Sequence, residues 1–94
     1  MFNKINDMKI FEESFKVVYN PNLNLIFREI LNDRVVPYSQ LTKLGIEEKF
    51  LIKYLDILEE KGYIKKKGFF GFNELNKYYV TKKGLLTDRI LENV

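Results

Sequence analysis

The chain has 94 residues, 46% of them hydrophobic, with 8 Phe, 6 Tyr and a net charge of +3; this is the size of one domain with enough apolar material for a core, which excludes global disorder. It contains neither Cys nor His, which excludes disulfides, thiolate metal sites and the usual neutral-pH general base, so catalysis, a metal and a cofactor are not expected. No apolar run approaches the roughly 20 residues of a spanning helix, and residues 1–11 intersperse Lys4, Asp7 and Lys9 where a signal peptide needs an apolar run, so a soluble cytoplasmic protein with no membrane partner is expected.

In chain order, residues 7–19 read as an amphipathic helix. Met8, Phe11, Phe15 and Val18 recur on one face, and Asp7 suits the N-cap. Asn20-Pro21-Asn22 then breaks the chain, because proline disfavours helix in the residue before it. A second helix, over about 23–32 with Asn22 as its cap, buries Leu23, Ile26, Phe27, Ile30 and Leu31. Residues 34–37 read as an extended link. Residues 39–44 form a short third helix carrying Leu41 and Leu44. Gly45 follows, where a tight turn needs positive φ.

A longer helix spans 47–61, with Leu51, Leu55 and Leu58 on its buried side and Gly62 just past its end. The period then changes. Residues 63–70 and 75–81, rich in aromatic and β-branched side chains, read as two strands around a turn at Gly71-Phe72-Asn73-Glu74. Residues 82–94, with Leu85, Leu86, Ile90 and Leu91, close the chain as a helix. The fold class is mostly α with a small β-hairpin (α+β). Residues 1–19 are a candidate dimerisation helix, and residues 20–94 form the domain. A short helix, a Gly turn, a longer helix and a hairpin are the order of a winged helix-turn-helix.

Residues 41–64 read LTKLGIEEKFLIKYLDILEEKGYI. This segment resembles the winged-helix regulators of the arsenic-repressor and multiple-antibiotic-resistance types. Their recognition helix ends LxxLExxGYI, and here Leu55, Leu58, Glu59, Gly62, Tyr63 and Ile64 occupy those places. Their return strand often reads YxLTxKG, and Tyr78 to Gly84 is a close match. Upstream, NPNLNLIFREIL is similar to the helix that opens such domains, so the resemblance covers about 20–91. It implies a transcriptional regulator that binds double-stranded DNA as a homodimer paired through terminal helices. It also implies that helix 47–61 enters the major groove, with Lys49, Phe50, Ile52, Lys53 and Tyr54 on or near the groove side, while the wing lies on the phosphates or in the minor groove. The helix departs from the pattern by opening with Glu47 and Glu48. Between Leu41 and Tyr63 it has no Arg, Asn or Gln, the good direct readers of guanine and adenine.

Charge is segregated along the chain. Residues 61–83 hold seven lysines against Glu74 alone, a net of +6, so the remainder carries −3. A basic patch on an acidic body suits a polyanion partner. The candidate DNA-binding residues are Lys49, Lys53 and Tyr54 on the helix and Lys65, Lys66, Lys67 and Lys77 on the hairpin. Strand alternation puts Lys65 and Lys67 on one face and Lys66 on the other. Lysines on a hairpin edge also guard against edge-to-edge pairing. Phe50 and Tyr54, one turn apart, suit either a core or a groove position. Phe69, Phe70 and Phe72 suit packing, self-association or insertion into a groove. The alternative function is a winged helix that contacts protein without nucleic acid. The two readings separate on whether the hairpin lysines face the same side as Lys49 and Lys53. A third is single-strand or RNA binding, with the hairpin aromatics as stacking surfaces.

Overall fold

The computed structural model describes residues 20–68 and 73–92. Helix α1 (Pro21–Asp33) leads into strand β1 (Val35–Pro37), then a single-turn helix α2 (Tyr38–Leu41) continued by a 3-10 turn (Thr42–Leu44). Helix α3 (Glu48–Glu60), strand β2 (Ile64–Lys67), a second 3-10 turn (Asn73–Leu75), strand β3 (Lys77–Val80) and helix α4 (Lys82–Glu92) follow. The class is α+β, mostly helical, with a three-stranded antiparallel sheet in the order β1-β3-β2. The expected helix over 7–19 lies outside the described residues, as do Phe69, Phe70 and Phe72. Among the described residues no helix is long and apolar enough to cross a membrane.

Helix α1 starts earlier than its apolar periodicity suggests. Asn20, not Asn22, is the cap: its side-chain oxygen accepts from the backbone N–H of Asn22 and of Leu23, both at 3.1 Å. Pro21 is the first helical residue, where its missing N–H has no intrahelical partner to lose. The Asn20-Pro21 pair is thus a helix start and not only a break. The helix stops at Arg34, which takes a positive φ of 69°, a strained conformation for a residue with a Cβ.

The link at 34–37 proves to be strand β1. Val35, Val36 and Pro37 pair with Tyr79, Tyr78 and Lys77 of β3. Pro37 is tolerated because β1 is an edge strand. The short helix 39–44 divides into α2 and a 3-10 turn. Gly45 then adopts φ +80°, with nothing within 4 Å of where a Cβ would stand, so conformation alone favours glycine there. Helix α3 ends in a Schellman motif: Gly62 N–H donates to the Glu59 carbonyl at 2.9 Å and Tyr63 N–H to the Leu58 carbonyl at 3.0 Å.

One apolar cluster joins these elements. It takes Ile26, Phe27 and Ile30 from α1, Leu51, Leu55 and Leu58 from α3, Leu41 from α2, and Val36, Ile64 and Tyr78 from the sheet. Tyr63 is fully buried, its ring 5.7 Å from that of Phe27. Helices α1 and α3 therefore cover one face of the sheet; on the other, Val35, Pro37, Lys65, Lys67 and Lys77 are exposed.

The stretch from Thr81 to Gly84 fastens α4 to this core. The Thr81 hydroxyl accepts from Gly84 N–H at 3.0 Å, capping α4, and donates toward the Gly62 carbonyl at 2.6 Å. The Lys83 ammonium donates to the Lys61 carbonyl at 2.7 Å, at the C-terminus of α3. A Cβ on Gly84 would stand 2.5 Å from the Tyr63 carbonyl oxygen, so the chains approach too closely for any other residue.

Candidate nucleic-acid interface

The sheet register sorts the hairpin lysines by face. Residues paired across an antiparallel ladder project to the same side. Ile64 pairs with Val80 and Lys66 with Tyr78. Ile64 and Tyr78 belong to the core, so this is the face turned toward α1 and α3. Lys65 pairs with Tyr79, and Lys67 with Lys77, on the outward face. Lys65, Lys66, Lys67 and Lys77 are all exposed. None of the four ammonium groups makes an ion pair with a described carboxylate. The Lys67 ammonium instead lies over the Tyr79 ring, 5.4 Å from its centroid.

Lys66 stands apart from the others. Its partner Tyr78 has its hydroxyl pKa raised by burial, while a hydrogen bond with the Asn76 side chain lowers it and the Asp56 and Glu59 carboxylates of α3 raise it further. Lys66 therefore shares its side of the sheet with the acidic part of α3.

On α3 the exposed residues Lys49, Lys53, Asp56 and Glu60 recur at helical spacing and form one solvent stripe. Four acids against two lysines give Glu48–Glu60 a net charge of −2. Lys49 approaches Glu47 at 3.6 Å, with both side chains more than 60% exposed, a pair of little energetic weight. Its ammonium also lies 5.2 Å from the centre of the Phe50 ring. The structure divides Phe50 from Tyr54: Phe50 is 41% exposed, whereas Tyr54 is half-buried and packed against the core. Glu48 is engaged too, accepting from the Tyr38 hydroxyl at 3.1 Å.

The candidate residues thus fall into two groups. Lys65, Lys67 and Lys77 leave the sheet on the side away from the core. Lys49 and Lys53 leave α3 on the far side from Leu51, Leu55 and Leu58. These are different layers of the molecule. Lys83 is committed to the α3 terminus and serves the fold, as do Thr81 and Gly84 in the same motif. Among the described residues no cluster of carboxylates is placed to hold a metal ion.

Sequence reasoning passed over Tyr79 and Val35. Both lie on the outward face beside the lysines, with Val35 paired to Tyr79 and 40% exposed. Alternation along Tyr78-Tyr79 implies that one ring faces outward, but which one depends on the register with β1, and β1 was not legible. No family model, no curated protein and no solved structure matches the chain.

Proposed function

We propose that this chain is a winged-helix protein that binds double-stranded DNA through its phosphates and acts as a cytoplasmic transcriptional regulator. The observation that carries the reading is the outward cluster of Lys65, Lys67 and Lys77 on the β2–β3 hairpin, with no carboxylate among the strand residues paired on that face. Each phosphate neutralised releases condensed counterions, so such a cluster gains affinity for any duplex. Helix α3, with its net negative charge, contributes Lys49 and Lys53 at its N-terminal half but few groups that read base edges. Affinity then comes mainly from the backbone, and sequence preference is weak. Self-association through the Met8, Phe11, Phe15, Val18 stripe belongs to the same proposal, although these residues lie outside those described. A chain lacking residues 1–19 is then a monomer in light scattering where the full chain is a dimer.

The test is duplex binding across a range of salt. Log affinity falls against log salt with a slope of about −0.9 per phosphate contact. Replacing Lys65, Lys66 and Lys67 with alanine flattens that slope by roughly two to three units. The lower figure is expected if Lys66, on the opposite face, takes no part. An unchanged slope removes the hairpin from the interface.

A protein-contact module is the second reading. It is favoured by the exposed Phe50 at the head of an acidic helix and by the separation of Lys49 and Lys53 from the hairpin lysines. Absence of binding by the wild type at low salt to duplex and single strand alike decides for it.

A further inference from the structure

The outward sheet face is a small grid with a gradient of chemistry across it. One row runs Val35, Tyr79, Lys65 and the next runs Pro37, Lys77, Lys67, each crossing β1, β3 and β2 in order. The β1 side is apolar, the β2 side is cationic, and an aromatic ring stands at the centre. At about 4.8 Å between strands, the whole face is roughly 10 Å wide. No carboxylate occupies any of the six positions.

One feature of the grid works against folding. Lys67 and Lys77 are directly opposed in the ladder, and like charges in that position repel. Val35, exposed beside Tyr79, is a pairing that suits a sheet and extends the apolar side of the grid. Edge protection accounts for lysines on β2, the edge strand, but not for Lys77 on the central strand β3. Local choices that conflict with stability are expected at functional sites. The Lys67 ammonium over the Tyr79 ring indicates that the ring offers a π-face, not only an edge, to an approaching group.

We infer that this face binds single-stranded nucleic acid, with Tyr79 as the stacking residue and Lys65, Lys67 and Lys77 as the phosphate contacts. A duplex has no use for Tyr79 and Val35, because its base faces are covered by their own stacking. A single strand exposes both an apolar base face and a phosphate on each nucleotide, the two chemistries that lie side by side here. A base arriving over Tyr79 displaces the Lys67 ammonium toward the adjoining phosphate. The inference draws on the nucleic-acid reading above for the class of partner, but it rests on Tyr79, which duplex binding does not require.

The experiment compares a short oligothymidylate with a random duplex, for the full chain and two variants. Tyr79→Leu keeps every charge and is first confirmed to melt cooperatively. It is expected to weaken oligothymidylate binding roughly 5- to 150-fold, the worth of one stacked base, and to leave duplex binding unchanged. Tyr79→Trp keeps an aromatic face and introduces a single Trp into a chain that has none. Its emission should be quenched as oligothymidylate binds. Equal affinity of wild type and Tyr79→Leu for oligothymidylate overturns the inference, as does equal weakening toward strand and duplex. A bound strand that leaves the introduced indole unquenched also overturns it, as does absence of strand binding by the wild type at low salt. If the strand binds through Tyr79 and the duplex does not bind, the duplex reading fails and this one holds.

Discussion

At the scale of single residues, Tyr38 shows how much one buried hydroxyl can report. It is 5% exposed and donates to a Glu48 oxygen at 3.1 Å. Burial first, and then the bond to Glu48, push its pKa up from 10.0 to about 12. The folded state therefore favours the neutral phenol. Its contribution is fully present below the ordinary value and is lost as pH rises from about 10 through about 12. Tyr78, raised mainly by burial, acts in the same direction. Tyr38→Phe should cost about 1 kcal/mol at neutral pH for the lost bond, yet lose less stability than the wild type on going from pH 9 to pH 12. Urea midpoints at the two pH values measure this, and parallel losses in both proteins would refute it. Glycine roles were partly legible at this scale: a left-handed Gly45 follows from its place between two apolar runs. The need for glycine at 84 did not, since it comes from the Tyr63 carbonyl, which only tertiary structure brings near.

Elements were legible where they were long and periodic. Leu23, Ile26, Phe27, Ile30 and Leu31 on α1, and Leu51, Leu55 and Leu58 on α3, are buried as their spacing implies. Strand β1 was not legible, because three residues ending in proline offer no period to read and owe their structure to pairing with β3. The start of α1 was misplaced because Asn20 and Asn22 flank the same proline and either could cap. The geometry separates them: Asn20 is in the extended conformation of a cap and receives two backbone N–H groups, while Asn22 lies within the first turn. Asn20→Ala should therefore destabilise the protein by about 1 kcal/mol, and Asn22→Ala should fall within about 0.5 kcal/mol of the wild type. Equilibrium denaturation of the two variants decides the matter, and a larger loss at Asn22 would contradict the assignment.

At the scale of the whole molecule, the segregation of charge read from the chain acquires a direction. The positive segment became a surface only through the β2–β3 register, which gathers Lys65, Lys67 and Lys77 on the side away from the helices and leaves Lys66 toward the acids of α3. Composition could give the sum but not the sides. Opposing Lys67 to Lys77 in an exposed ladder costs stability that an opposite-charge pair would restore, roughly 0.2–1 kcal/mol. Lys77→Glu should therefore raise the melting temperature at low salt, and added salt should narrow the difference, since screening weakens the wild-type repulsion and the new attraction alike. The same substitution places a carboxylate in the middle of the outward face and should lower affinity for single-stranded and duplex DNA. The two measurements together test whether the repulsion is retained for binding. A more stable variant that binds as well as the wild type would mean that the opposed lysines serve neither the fold nor a polyanion. A variant that is less stable at every salt concentration would mean that the pair does not repel, and the case for a binding face would then rest on Tyr79 alone.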